Sequence, residues 1–129
     1  MNNKNFDQRI VLIADDDDDS REMLAVLLEH EGWVVKEAKN GKEAIEKVIN
    51  ERPDLLILDN RMPEITGSEV YQQLRVKGLN LPVVFATAYG FPEELVAFLG
   101  VSYFVSKPYD IPELLDTVET AYTHAKSGS

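Results

Sequence analysis

Five consecutive aspartates, Asp15, Asp16, Asp17, Asp18 and Asp19, follow directly on the apolar run Ile10-Val11-Leu12-Ile13-Ala14. Carboxylates packed together at the end of a buried strand repel one another, so the cluster requires a proton or a cation. Three more apolar runs end in polar residues: Leu55-Leu56-Ile57-Leu58 in Asp59, Pro82-Val83-Val84-Phe85-Ala86 in Thr87, and Tyr103-Phe104-Val105-Ser106 in Lys107-Pro108. In an open parallel sheet the C-terminal strand ends share one edge, where ligands bind. Carboxylates, a hydroxyl and an ammonium meeting there make a site for a hard cation and a phosphoryl group. Oxygen ligands without His or Cys favour Mg²⁺ or Mn²⁺. Asp59 can then serve as ligand and as nucleophile, attacking phosphorus in line to give an acyl phosphate. The metal and Lys107 would stabilise charge on the transferring group, and Thr87 would donate a hydrogen bond to the product.

Each signal is weak by itself. Thr87 alone is an ordinary strand-end hydroxyl, Lys107 an ordinary surface lysine, and Pro108 a turn residue. Asp17, Asp18 and Asp19 read better as helix-capping or solvated residues than as metal ligands, because N-caps favour Asp. The functional reading rests on the coincidence at four strand ends.

The elements that would hold these residues alternate along the chain. A strand over Arg9–Ala14 is followed by a helix over 21–30, capped by Asp17 or Asp18, with Leu24, Leu27 and Leu28 inward and Glu31-Gly32 as the stop. Trp33–Ala38 reads as a second strand. Asn40-Gly41 opens a helix carrying Ala44, Ile45, Val48 and Ile49 at helical spacing, and Pro53 ends it. After the strand to Asp59, a loop over 61–67 leads to a helix over 68–77. The strand ending at Thr87 precedes a short fourth helix over 92–99. The final strand precedes a fifth helix over 111–126, with Leu114, Leu115, Val118, Ala121 and Tyr122 inward. Alternating elements with continuously apolar strands predict an α/β fold, a doubly wound parallel sheet covered by five helices on both faces. Order 2-1-3-4-5 suits five strands and brings Asp15, Asp16 and Asp59 into one crevice. His30 and His124 fall on polar helix faces and receive no role.

With 129 residues the chain fits one domain. The expected domain covers 8–126, with flexible tails at 1–7 and 127–129. The formal net charge of −10 with scattered Lys and Arg makes direct nucleic-acid binding a poor expectation. No apolar run reaches the ~20 residues that span a bilayer. The absence of cysteine excludes thiolate metal sites and fits a cytoplasmic location.

Val11-Leu12-Ile13-Ala14-Asp15-Asp16-Asp17, Leu56-Ile57-Leu58-Asp59-Asn60-Arg61-Met62-Pro63 with Gly67 following, Ala86-Thr87-Ala88 and Val105-Ser106-Lys107-Pro108, in this order, closely resemble the receiver domain of two-component response regulators. The resemblance covers nearly the whole chain and implies the flavodoxin-like 2-1-3-4-5 fold. It implies that Asp59 is the phosphoacceptor and that Asp15, Asp16 and the Arg61 backbone carbonyl join it in holding Mg²⁺. Thr87 and Lys107 would contact the phosphoryl group, and Thr87 and Phe104 would form the switch. The implied phosphodonor is a phosphohistidine on a sensor histidine kinase or a histidine phosphotransfer protein. Asp19, Glu22 and Val26, on one outward face of the first helix, and Pro108 are the docking candidates. The implied domain is not an enzyme beyond its own phosphorylation and dephosphorylation. A homodimer would use the face of the fourth helix, fifth strand and fifth helix. Three departures stand out: the 87–107 segment is slightly short, Phe104 lacks a tyrosine hydroxyl, and Arg61 sets a large cation beside Asp59, where it would alter the phosphoaspartate lifetime.

Three other readings compete. An aspartate-nucleophile phosphohydrolase would use Asp15 and Asp17 as an Asp-x-Asp motif, but Asp19 stands where that family has Thr or Val. A calcium loop needs Gly and Glu where Ser20 and Val26 stand. A vestigial receiver would act only as a protein-interaction module. The chain reads as a stand-alone receiver or as one excised from a larger regulator or hybrid kinase.

Overall fold

The computed structural model describes residues 8–88, 100 and 103–127. The apolar runs form β1 (Arg9–Ala14), β2 (Trp33–Ala38), β3 (Leu55–Asp59), β4 (Val83–Ala88) and β5 (Tyr103–Lys107). All pair in parallel, in the expected order β2-β1-β3-β4-β5. Four helices lie among the described residues: α1 (Asp18–His30), α2 (Gly41–Glu51), α3 (Gly67–Val76) and α4 (Ile111–Ser127). The short helix expected over 92–99 lies outside the described residues. Helix α4 runs through Ser127, whose hydroxyl donates to the Thr123 carbonyl, so this residue belongs to the helix rather than to the expected tail.

Strand periodicity sorts the core into two layers. Leu12, Ala14, Leu56, Leu58 and Phe85 face one side, where Ala44, Ile45 and Val48 of α2 and Val70, Tyr71 and Leu74 of α3 cover them. Val11, Ile13, Leu55, Ile57, Val84 and Ala86 face the other, against Leu24, Ala25 and Leu28 of α1 and Leu114, Val118 and Ala121 of α4. Burial on both faces is what a continuously apolar strand predicts, and β3 is buried at every position. The edge strand β5 is buried at Val105 alone. Ile49, expected on the inner stripe of α2, is 39% exposed. Ala44, Ile45 and Val48 already fill the contact with the sheet, and Ile49 lies one residue past that stripe.

The helix starts are set locally. Asn40 caps α2 by accepting from the Glu43 N–H at 2.8 Å, and Thr66 and Glu69 form a reciprocal capping box on α3. Asp17 occupies the N-cap position of α1, yet its side chain makes no cap hydrogen bond, contrary to the expected role. Its own N–H donates instead to Asp15 Oδ1 at 2.9 Å, which ties the acidic turn to the strand end.

Gly67 shows how tightly the end of β3 is held. A Cβ there would lie 2.4 Å from the Asp59 carbonyl oxygen and 2.8 Å from Asn60 Cα. The Gly67 N–H donates to the Asn60 carbonyl at 3.0 Å, and Asn60 Oδ1 accepts from the Ser68 hydroxyl at 2.9 Å. The loop after Asp59 is thus pinned back against the strand. Gly67→Ala is expected to cost about 1–3 kcal/mol of folding stability through backbone overpacking. Urea unfolding measures it, and an unchanged midpoint would contradict this packing.

Candidate phosphoryl-transfer site

The register assembles the site. Ala14 pairs with Leu58, so Asp15 and Asp59 emerge side by side where β1 and β3 end. Carboxylate oxygens of Asp15, Asp16 and Asp59 all lie within 4.8 Å of one another. Asp15 and Asp59 are buried and Asp16 is exposed. Register on the other side sets Ala86 beside Asp59 and Lys107 beside Ala88. Lys107 Nζ reaches across to Asp15 Oδ2 at 2.9 Å and to Asp59 Oδ1 at 3.5 Å. The Lys107-Pro108 peptide bond is cis.

Burial pushes the Asp59 carboxyl up to about 6. Lys107 pulls it down, Asp15 pushes it up, and a hydrogen bond from the Arg61 backbone lowers it. Burial opposes the charge on Lys107, but its hydrogen bond to Asp15 and the fields of Asp59, Tyr109 and Asp15 outweigh that and raise its pKa. The Tyr109 hydroxyl, chiefly through burial, is pushed up to about 12. A single ammonium therefore balances two buried carboxylates incompletely, leaving room in charge for a cation. The donor set, all carboxylate, fits a hard divalent ion.

Not every expected residue joins the cluster. Thr87 is buried, and its hydroxyl donates to the Val105 carbonyl at 3.3 Å rather than to Asp59. Phe104 is 38% exposed, aligned with Phe85 across the β4–β5 ladder. The Arg61 side chain is exposed, as are Asp19, Glu22, Val26 and Pro108. His124 on α4 hydrogen-bonds the Tyr103 hydroxyl through Nδ1, a contact that its polar helix face did not suggest. The reading of scattered surface cations also missed Arg21. It is buried, and it joins Asp15, Asp18 and Glu37. Its place three residues after Asp18 on one helix turn was the available signal.

Residues 11–119 match the response regulator receiver domain family. The chain belongs to that family. It is 41% identical over 107 residues to the response regulator MprA of Mycobacterium ulcerans, covering 81% of this chain and 46% of that regulator. It thus spans less than half the length of that relative. An uncharacterized 14.6 kDa protein in the sodA1 3′ region of Leptolyngbya boryana is 40% identical over 116 residues, covering 87% of this chain and 88% of that protein. A putative response regulator from Chloroflexus aurantiacus superposes with a TM-score of 0.84 at 32% identity, over 90% of this chain and 98% of the other. Among the described residues of this receiver, no helix is long and apolar enough to cross a membrane.

The raised Asp59 pKa has a consequence for stability. A carboxyl that titrates near 6 when folded and at 3.8 otherwise keeps an extra proton in the folded state between those values. Its contribution is therefore fully present below about pH 4 and is lost as pH rises through 6, by up to about 3 kcal/mol. In EDTA, Asp59→Asn is expected to be more stable than wild type at pH 7.5, with the gap closing towards pH 4. Urea midpoints across that range test it, and a pH-independent gap would contradict it.

Proposed function

We propose that this receiver accepts a phosphoryl group on Asp59 from a phosphohistidine of a sensor kinase or phosphotransfer protein. The observation that carries this reading is the convergence of Asp15, Asp16 and Asp59 within 4.8 Å, with Lys107 Nζ 2.9 Å from Asp15 and 3.5 Å from Asp59. Asp15, Asp16 and Asp59 would hold Mg²⁺ or Mn²⁺, with the Arg61 backbone carbonyl as a further ligand. The ion, when bound, supplies positive charge to the phosphoryl oxygens and to the acidic cluster. An Asp59 carboxylate oxygen attacks phosphorus in line; the new O–P bond forms as the donor's N–P bond breaks, and the leaving imidazole keeps the bonding electron pair. Asp59 must be ionised to attack. The nearby Lys107 ammonium favours that state, and it then lies close enough to stabilise the transferred group.

The response would run through Thr87. Its hydroxyl is held by the weaker of two acceptors, the Val105 carbonyl, and a phosphoryl on Asp59 offers a charged one. Moving that hydroxyl frees Val105 on β5, next to half-exposed Phe104, so the surface around β5 would change with phosphorylation. Exposed Asp19, Glu22 and Val26 on α1 and exposed Pro108 flank the site and suit docking of the phosphodonor. The functional unit would cover 8–126, with Ser127 completing its last helix. The phosphohydrolase reading is disfavoured because Asp17, its second motif aspartate, stays outside the carboxylate cluster.

Incubation with Mg²⁺ and acetyl phosphate is expected to add one phosphoryl group by intact mass, with no adduct in Asp59→Asn; absence of an adduct on wild type would favour a vestigial receiver. Thr87→Ala is expected to take up phosphate on Asp59 and yet leave amide shifts of residues 103–107 unmoved, whereas wild type shifts them. Equal shifts in both proteins would remove Thr87 from the switch.

A further inference from the structure

Every polar group of Asp15 is already engaged. Its N–H donates to the Ala38 carbonyl at 3.0 Å, Oδ1 accepts from the Asp17 N–H at 2.9 Å, and Oδ2 accepts from Lys107 at 2.9 Å. Its carbonyl oxygen accepts from Arg21 Nη1 at 2.7 Å, in a buried hydrogen bond. The same guanidinium donates from Nη2 to Asp18 at 2.6 Å and from Nε to Glu37 at 2.9 Å. Asp16 differs: among the described residues, no group holds its side chain. Its place in the cluster depends on the backbone between Asp15 and Asp17. One end of that backbone hangs on Arg21 Nη1. The other is closed by the Arg21 N–H, which donates to the Asp17 carbonyl at 3.0 Å. Glu37, the outer anchor, pairs in register with Ile13 on β1 and so belongs to the rigid sheet.

We propose that Arg21 is a positioning residue for the cation site: its fork clamps the Asp15–Asp18 turn to β2 and thereby holds Asp16 within reach of Asp15 and Asp59. This rests on the proposed metal-dependent phosphoryl transfer. A rigid planar fork can bind three separate oxygens on one turn and one neighbouring strand, while an ammonium on a flexible stem cannot reproduce that geometry. Groups behind metal ligands commonly set affinity in this way.

Charge alone predicts the opposite sign. A guanidinium near a cation site repels the cation, so deleting it would tighten binding, and replacing it by another cation would change little. The clamp predicts loss in both cases. Asp18 and Glu37 are partly exposed and can be rehydrated, so the variants can fold.

The experiment is calorimetric titration of the metal-free chain with MgCl₂, for wild type, Arg21→Lys, Arg21→Met and Asp15→Asn. Far-UV circular dichroism and urea midpoints check that each is folded. Both Arg21 variants are expected to bind Mg²⁺ about tenfold more weakly. The Mg²⁺ concentration at half-maximal acetyl phosphate labelling should rise by the same factor, with the plateau rate retained. Arg21→Met carries the test if the lysine does not fold. Affinity that is unchanged or tighter in a folded Arg21 variant overturns the clamp. A wild type that takes up Mg²⁺ no better than Asp15→Asn overturns the proposed function instead, and the clamp with it.

Discussion

Two carboxylates, Asp15 and Asp59, stand buried side by side at the ends of adjacent parallel strands, and most of the architecture around them serves to keep them there. Burial in this poorly hydrated site raises the proton affinity of Asp59, and the neighbouring Asp15 charge adds to it. The sheet tolerates it because the same register that brings the acids together delivers Lys107 from β5 two strands away. A smaller fold with fewer parallel strands would have the acids without the counterion.

The arrangement also explains why the strands are so uniformly apolar. Leu12, Leu56 and Leu58 pack on one face while Val11, Ile13, Leu55 and Ile57 pack on the other, so β1 and β3 cannot slide without stripping both layers. Burying a leucine or isoleucine contributes about 1.5–3 kcal/mol, and several at adjacent positions outweigh a strained acidic pair. Stability is concentrated in the centre of the sheet. Polarity is left to the strand ends, where pinning by Gly67 and Asn60 replaces hydrophobic burial.

What could be read from the sequence follows the same division. The strands, their order and the Asp15, Asp16, Asp59 cluster were legible, because apolar runs with polar ends report local patterns that translate directly into a parallel sheet. Lys107 was legible for the same reason. The partners of Arg21 were not: its contact with Glu37 joins positions 16 residues apart, and a buried arginine looks in sequence like any charged residue on a helix. The Thr87 hydroxyl was placed at the right strand end, but its bond to the Val105 carbonyl was not foreseen, because that carbonyl is offered by a neighbouring strand that sequence pattern does not register. Ile49 failed for a narrower reason. Helical spacing gives a stripe wider than the sheet needs, and three residues already filled it.

The two cations near the acids divide the work by geometry. Lys107 places a compact charge between Asp15 and Asp59, where its single stem can shift as the charge on Asp59 changes. Arg21 places its charge on the far side of the Asp15 backbone and engages a carbonyl, Asp18 and Glu37 at once. The first can follow a reaction; the second is fixed by three oxygens. With the groups exchanged, a lysine behind the turn would leave it loosely held, and an arginine between the carboxylates would fill the space that the proposed cation and phosphoryl group would share. The run of five aspartates is therefore sorted by partner. Asp15 meets Lys107 through its carboxylate and Arg21 through its carbonyl, and Asp18 is bound by Arg21. Asp16, Asp17 and Asp19 have no ion pair among the described residues, and of these three Asp16 alone joins the carboxylate cluster.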